Sequence, residues 1–194
     1  QSLEGKKGAV VVTDATGEVL ALFSAPSFDP NLFVGKQNSE AITNILNDSN
    51  LPLFNRAIGG VYHPGSTFKP LVALAALSAG AIDENFTFDD PGVIRINIYS
   101  YSNWYYSQYG RVEGNINLVR ALARSTDTFF YKVGEITGIE EIVAWSQKLG
   151  LDKKTEIDIP GEVSGLVPTP AWKLKFKGER WFLGNTYHLS IGQG

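Results

Sequence analysis

The feature that most constrains the fold is an apolar run at residues 66–79, which reads STFKPLVALAALSA. The breaker pair Pro64-Gly65 precedes it and Gly80 follows it. This pattern predicts a helix that is buried on nearly every side, with Ser66 as its N-cap and Gly80 as its C-cap. A helix of this kind needs other elements to cover it, so the chain is expected to be globular.

The length and the net charge of the chain limit the kinds of protein that it can be. The chain has 194 residues, of which 43% are hydrophobic, so residues 1–194 can bury a core of the size found in one ordinary domain. The formal net charge is −3. Because nucleic acids attract strongly basic proteins, this charge excludes nucleic acid as an expected partner.

The amino-acid composition gives little indication of a metal site or a reactive thiol. The chain has no cysteine and only two histidines, so we predict no metal site and no cofactor. The absence of cysteine is compatible with a domain that works outside the cytosol. No apolar run approaches the roughly 20 residues that span a bilayer, so any targeting segment is expected to lie outside this chain.

The remaining patterns predict a mixture of strands and helices. Residues 8–24 predict a hairpin with its turn at residues 14–17, and residues 36–52 a loop or a weak helix. Helices are predicted on both sides of residues 125–127 and over residues 139–149. The tyrosine-rich residues 98–109 follow no clean period and are predicted to be irregular. Prolines and glycines forbid long elements in residues 155–170.

The segment Ser66-Thr67-Phe68-Lys69 has the spacing of an activated nucleophile. A serine hydroxyl needs an adjacent base, and a lysine one helical turn away lies on the same helix face. Burial at a helix N-terminus lowers the pKa of a lysine, and the Ser66 N–H could help to hold an oxyanion. An isolated S-x-x-K match is usually a cap with a solvated lysine, but burial of Lys69 in this apolar run favours the functional interpretation.

A second polar island, Ser125-Thr126-Asp127, lies between two predicted helices. Ser125 could relay a proton while the carboxylate of Asp127 neutralises or positions a lysine. Alternatively, Ser125 or Asp127 caps the following helix. His63 has no evident orienting carboxylate, and Arg56, Asp89 and Asp90 are interpreted as surface or loop charges.

Together these segments resemble the penicillin-binding transpeptidases, whose motif set is S-x-x-K, S-x-N and K-T-G. The resemblance is carried by five segments of the chain: residues 55–57, PGSTFKP, STDTFFY, IDIPGEVSGLVPTPAW and HLSIGQG. It extends over residues 8–194 and is closest to the elongation-type class B members, the penicillin-binding protein 2 group. Asp127 stands where asparagine is more usual.

The resemblance implies an α+β fold, in which an antiparallel sheet is flanked by helices as in serine β-lactamases. It also implies C-terminal strands that pair with the hairpin, and a K-T-G motif beyond G-Q-G. Lys154-Thr155-Glu156 lacks the glycine, so residues 1–194 are expected to be a partial transpeptidase domain and, by themselves, an incomplete catalyst.

For function, the resemblance implies a D,D-transpeptidase that cross-links peptidoglycan stem peptides ending in D-Ala-D-Ala. Ser66 would be the nucleophile, Lys69 its base, and Ser125 and Asp127 the second motif, which also contacts substrate. β-Lactams would acylate Ser66. The protein would be extracytoplasmic, anchored by an N-terminal membrane helix, and would work with a glycosyltransferase and other elongation proteins. The alternatives are a serine β-lactamase or D,D-carboxypeptidase, and a catalytically silent penicillin-binding scaffold or sensor.

Overall fold

The computed structural model describes residues 3–34 and 39–194, which form two compact units. The first unit comprises Gln1–Val61 and Lys154–Val163, and the second comprises Tyr62–Lys153 and Ser164–Gly194. In the described part of the chain, no helix is long and apolar enough to cross a membrane.

The first unit contains the predicted hairpin. Strands β1 (Gly8–Thr13) and β2 (Val19–Ala25) pair antiparallel. The Asp14 carboxylate closes their turn by accepting hydrogen bonds from the backbone N–H of Thr16 at 2.8 Å and of Glu18 at 2.9 Å. The hairpin prediction is therefore confirmed, and its turn is fixed by one aspartate side chain.

The rest of the first unit consists of short helical elements joined by irregular segments. It contains a 3₁₀ turn (Pro30–Phe33), helix α1 (Ser39–Asn47) and the short helix α2 (Arg56–Gly59). Of the segment predicted as a loop or weak helix, residues 36–38 lie outside the described residues. Arg56 was interpreted as a surface charge, which is wrong, because it is 7% exposed and its guanidinium donates to the carbonyls of Leu51 and Asn50.

The second unit consists mainly of helices, with two small antiparallel sheets. Its helices are α3 (Lys69–Ser78), α4 (Trp104–Tyr109), α5 (Leu118–Arg124), α6 (Asp127–Thr137), α7 (Ile139–Lys148), α8 (Pro170–Lys177) and α9 (Leu183–Ser190). Its strands are β3 (Thr87–Asp90), β4 (Val93–Ile96), β5 (Tyr99–Ser102) and β6 (Gly114–Asn117). Strand β3 pairs with β6 and β4 with β5, so the described residues have the predicted α+β character with antiparallel pairing.

Helices α3 and α6 form the centre of the core of the second unit. Val72 of α3 and Phe129 and Val133 of α6 are fully buried. Helix α9 approaches α6 so closely that a Cβ on Gly134 would lie 1.8 Å from Ser190 Oγ. The prediction that this run is buried on nearly every side is wrong, because α3 is buried along one face while Leu74 and Leu77 on the other are 40% and 37% exposed.

Two local predictions in this unit are corrected. Ser66 does not cap α3 but lies in a 3₁₀ turn (Gly65–Phe68) that precedes the helix, and no side chain caps either element.

Residues 98–109 are regular, since they form β5 and α4. Tertiary packing decides here, because the Tyr101 ring contacts the Tyr131 and Tyr187 rings at centroid distances of 5.8 and 5.0 Å. Residues 155–169 contain no helix or strand, as predicted.

Candidate active site

Lys69 is the first residue of α3 and is 1% exposed. Its Nζ donates to Ser125 O at 2.8 Å, to Ser125 Oγ at 3.0 Å and to Asp127 Oδ1 at 2.6 Å. The structure thus brings together three of the four residues that the sequence singled out. An ammonium has three donors and no acceptor, so these three partners engage every proton that a charged Lys69 carries.

The backbone between α5 and α6 presents Ser125 and Asp127 to Lys69. Ser125 ends α5 in the left-handed conformation, with φ 53° and ψ 44°, which stops the helix. Asp127 begins α6 two residues later, and Thr126 takes the N-cap position without a side-chain cap bond. The capping alternative for Ser125 and Asp127 is therefore wrong, since both side chains bind the lysine instead.

Two opposing effects act on the protonation of Lys69. Burial lowers its pKa from the ordinary lysine value, and this effect exceeds the attraction and hydrogen bond of Asp127, which raise it. The Phe130 ring, with its centroid 5.6 Å from Nζ, also attracts the charged form. Lys69 therefore releases its proton more readily than a solvated lysine does.

Ser66 differs from Lys69 in its environment. It is exposed, and in the described part of the chain its hydroxyl has no hydrogen-bond partner. The Lys69 backbone N–H donates to Ser66 O, but no hydrogen bond joins the two side chains, because all the donors of the ammonium point to Ser125 and Asp127. A base that is to receive the Ser66 proton has to be neutral and free at one position.

The turn before Ser66 is held by the end of the chain. Gly65 N–H donates to Gly192 O at 2.9 Å. Gly192 has φ 70°, and a Cβ there would lie 2.2 Å from Gly65 O. Only glycine adopts this positive φ without strain and leaves room for Gly65 O, because it has no Cβ. The SIGQG segment therefore positions the backbone that carries Ser66.

Asp90 belongs to the site region and was missed, since it was interpreted as a surface or loop charge. It is 2% exposed. Its carboxylate accepts hydrogen bonds from Gly92 N–H and Glu113 N–H, both at 2.9 Å, and from Thr128 Oγ1 at 2.5 Å. The Asp-Pro-Gly sequence is a signal for the first of these bonds, because aspartate commonly binds the backbone two residues on. Asp89 is exposed, as predicted.

Asn103 was also missed. It is fully buried, accepts from Asp127 N–H at 3.2 Å through Oδ1, and donates to Asp90 Oδ2 at 3.3 Å through Nδ2. Its neighbour Trp104 donates its backbone N–H to Asp127 Oδ2 at 3.3 Å. No spacing in the sequence indicates this network, because its members are brought together only by tertiary packing.

The aromatic residues of α4 form a cluster with Arg124. The guanidinium lies over Trp104 at 5.1 Å and over Tyr105 at 4.9 Å, and it pairs with Glu113 at 2.7 Å. These contacts show that the two aromatic rings pack against a cation of the same unit. Among residues 3–34 and 39–194, no group of three or more acidic or histidine side chains is placed to hold a metal ion.

Comparison with known proteins agrees with this geometry. The model of the penicillin binding protein transpeptidase domain matches residues 8–193. The peptidoglycan D,D-transpeptidase MrdA of Escherichia coli K12 is 47% identical over 195 residues, which cover 99% of this chain and 30% of that protein. The chain thus spans about a third of the length of this relative.

Two solved structures share the fold. PBP2 of Helicobacter pylori, in complex with MreC, has a TM-score of 0.91 and 36% identity, with 99% of this chain and 35% of that chain covered. Penicillin-binding protein A of M. tuberculosis, as an imipenem acyl-enzyme complex, has a TM-score of 0.82 and 28% identity, with 100% and 43% covered. The chain belongs to the penicillin-binding protein transpeptidase domain family and has the α+β fold of that family.

Proposed function

We propose that the chain carries the nucleophile and the proton-transfer groups of a peptidoglycan D,D-transpeptidase, with Ser66 as nucleophile and Lys69 as base. The observation that carries the proposal is the burial of Lys69 against Ser125 Oγ at 3.0 Å and Asp127 at 2.6 Å. A buried lysine is costly unless it is paired or neutral, and a lysine with a lowered pKa near a serine is suited to proton transfer.

In the donor step, neutral Lys69 accepts the proton of the Ser66 hydroxyl while Oγ attacks the carbonyl carbon of the penultimate D-alanine. The new C–O bond gives a tetrahedral oxyanion. When the oxyanion collapses, the C–N bond breaks and the Ser125 hydroxyl passes a proton from Lys69 to the leaving nitrogen. Terminal D-alanine leaves, and the rest of the stem peptide remains as an ester on Ser66.

In the acceptor step, an amine of a second stem peptide attacks the ester carbon. The amine gives up its proton through Ser125 and Lys69, and the C–O bond to Ser66 breaks as that oxygen regains a proton. Asp127 holds the lysine in place throughout and stabilises it each time that it is charged. The cycle ends with a new peptide bond and a free serine.

The same mechanism requires Lys69 to lose a proton before it can act. As an ammonium, it donates to Ser125 O, Ser125 Oγ and Asp127 Oδ1 and has no lone pair for Ser66. Acylation is therefore expected to become faster as the pH rises through the pKa of Lys69, which burial lowers.

The wider setting is proposed from the relatives. Imipenem forms an acyl-enzyme with the M. tuberculosis relative, so we propose that β-lactams acylate Ser66. The H. pylori relative forms a complex with MreC, so we propose that the polypeptide carrying this chain works with other elongation-complex proteins. From the family resemblance we further propose that it is extracytoplasmic, anchored to the membrane, and works with a glycosyltransferase.

The test is acylation by a fluorescent penicillin, followed by intact mass, on the natural polypeptide in which this chain occurs. One long-lived adduct is expected, and Ser66→Ala should remove it. Ser78→Ala is the matched control, because Ser78 is an exposed serine at the other end of α3. Lys69→Arg should slow acylation strongly, since arginine keeps the charge but does not give up its proton.

Release of D-alanine from a stem pentapeptide separates the remaining alternatives. Release that depends on an added acceptor amine supports transpeptidation. Release to water alone indicates a carboxypeptidase, and rapid loss of the penicillin adduct indicates a β-lactamase. A folded protein that takes no label would contradict the role of Ser66 and favour a silent scaffold.

A further inference from the structure

We propose that Asn103 and Asp90 are positioning residues, which hold Asp127 in the orientation that binds Lys69. Two hydrogen bonds connect the three residues: Asp127 N–H donates to Asn103 Oδ1 at 3.2 Å in a partly buried position, and Asn103 Nδ2 donates to Asp90 Oδ2 at 3.3 Å in a buried one. The catalytic consequence rests on the proposed function, whereas the effect on Lys69 does not.

Asp90 is the fixed end of this network. Within the described ranges, no cation lies in ion-pair distance of its carboxylate, although it is 2% exposed. Four hydrogen-bond donors stabilise the buried carboxylate in place of a cation: Gly92 N–H, Glu113 N–H, Thr128 Oγ1 and Asn103 Nδ2. A buried carboxylate needs such donors, and four of them from separate parts of the unit leave it a single orientation.

Asn103 connects the fixed carboxylate of Asp90 to the backbone of Asp127. Its side chain is fully buried and uses oxygen toward the Asp127 amide and nitrogen toward the Asp90 carboxylate. If the side-chain amide were rotated by half a turn, its NH₂ would face an N–H donor and its oxygen would face a carboxylate. The backbone of Asn103 is held as well, because its N–H donates to Gly92 O at 2.8 Å.

Asp127 is therefore held at three places. Asn103 binds its backbone N–H, and Trp104 N–H binds Oδ2 at 3.3 Å, which leaves Oδ1 to bind Lys69 at 2.6 Å. The next residue, Thr128, is bound to Asp90. Asp90 thus acts on Asp127 from both sides, through Asn103 and through Thr128.

The network differs from an ordinary structural network in its effect on the charge of Lys69. The attraction of Asp127 raises the pKa of Lys69 against the larger effect of burial. Of the other titratable groups nearby, Tyr131 lies one turn further along α6 and interacts with Asp127, while Arg124 is paired with Glu113. If Asp127 is allowed to move, Lys69 is left with burial alone, so its titration should shift to lower pH.

The experiment compares Asn103→Ala and Thr128→Val with Thr137→Val. The control is matched to Thr128→Val, because Thr137 is also a buried threonine of α6, but its hydroxyl bonds to Val133 O within the helix. The titration of Lys69 is followed by NMR of labelled lysine side chains, with Lys69→Met to assign the signal. Both network variants should titrate at lower pH than wild type, and Thr137→Val should not.

The same variants are then assayed for penicillin acylation over a range of pH. At high pH, where Lys69 is neutral in every variant, Asn103→Ala should acylate about 10- to 100-fold more slowly, the loss expected from a misplaced catalytic group. Its pH profile should shift with the Lys69 titration, which a loss of stability alone would not produce.

An unchanged Lys69 titration in both network variants, with only stability reduced, overturns the proposal. If Asn103→Ala does not fold, the two threonine variants decide alone, because they make the same substitution in the same helix. A shifted titration in a protein that is never acylated supports the positioning role and contradicts the proposed function.

Discussion

The β1–β2 hairpin and helix α3 are both apolar segments, yet they differ in how much of that surface is buried. Val10, Val11 and Val12 of β1 are 42%, 47% and 45% exposed, whereas Val72 and Ala76 of α3 are fully buried. Each pattern correctly predicts its own element, because the spacing of apolar residues fixes the local conformation. Burial depends on what packs against the element, which the pattern does not specify.

The hairpin and α3 also differ in how they affect the charge of an ionisable side chain. The pKa of Asp14 in the hairpin turn is lowered by hydrogen bonds, of which the bond from the Thr16 hydroxyl is the largest cause. The pKa of Lys69 is also lowered, but chiefly by burial. Lowering the pKa favours the charged form of an aspartate and disfavours that of a lysine. The hairpin therefore stabilises its charge, whereas the core disfavours the charge of Lys69 and so favours the neutral amine that the proposed mechanism requires.

The largest effect is expected from Asp127→Ala, which leaves the Lys69 charge buried without its ion-pair partner. Removing one partner of a buried pair is strongly unfavourable, so the free energy of unfolding should fall by about 3 kcal/mol at neutral pH. Chemical denaturation of the variant measures this fall. The loss should shrink at high pH, where Lys69 is neutral.

Asp127→Asn is the control for that prediction. It removes the carboxylate charge but keeps an oxygen that can accept from Lys69 Nζ, so more than half of the loss seen in Asp127→Ala should remain. A loss close to zero in Asp127→Asn would mean that the carboxylate charge contributes little, and the contrast between the core and the hairpin would then not depend on electrostatics.

Gly192→Ala should have the next largest effect. The new Cβ would lie 2.2 Å from Gly65 O, and the backbone has φ 70°, so the loss should be about 2 kcal/mol or more. Gly178→Ala is matched in φ, at 68°, but meets no atom within 4 Å, and it should lose only about 1 kcal/mol. Thermal unfolding and penicillin acylation of both variants measure this difference. Similar values would show that the contact with the turn before Ser66 is unimportant.

The sequence was sufficient for those parts of the site that lie in one segment or follow a motif. Residues 66–69 and 125–127 stand out because a serine and a charged partner interrupt apolar helices. Of these residues, Lys69, Ser125 and Asp127 meet in the structure as predicted. Their catalytic roles stay predictions until acylation is measured.

What the sequence could not predict depends on contacts between distant segments. The 3₁₀ turn at Ser66 is held by Gly192, which is 126 positions along the chain, and Asn103 is placed by Asp90 and Asp127. Asparagine at the start of a helix is ordinary, and nothing in its neighbourhood marks it as buried. Likewise, the aromatic segment becomes regular only because Tyr101 packs on α6 and α9.

The burial of Lys69 also predicts a pH dependence of stability at alkaline pH, where Asp14 of the hairpin stays charged and contributes no such change. Between the lowered pKa of Lys69 and the ordinary lysine value, the unfolded chain holds a proton that the folded chain has released. The free energy of unfolding should therefore rise with pH across this window, by about 1.4 kcal/mol for each unit of lowering. Below the window, the whole penalty of the buried charge is present.

The measurement is the difference between wild type and Lys69→Met in unfolding free energy as the pH rises. Subtraction is needed because burial raises the pKa values of Tyr131 and Tyr187, which lowers stability at high pH in both proteins. A difference that stays flat or falls with pH would show that the attraction of Asp127, rather than burial, dominates at Lys69.

The smallest effect is expected in the hairpin. Val11→Thr places a hydroxyl on a side chain that is 47% exposed and keeps a β-branched residue in the strand, so the free energy of unfolding should change by less than about 0.5 kcal/mol. Val72→Thr makes the same change at a fully buried position and should lose about 1–3 kcal/mol, since a polar hydroxyl replaces a methyl group in the apolar core. Chemical denaturation of both variants, in this chain and in the natural polypeptide that carries it, tests the pair. A loss at Val11 as large as that at Val72 would mean that the apolar face of the hairpin is covered in the protein under test, and the contrast between the two regions would then belong to the described residues alone.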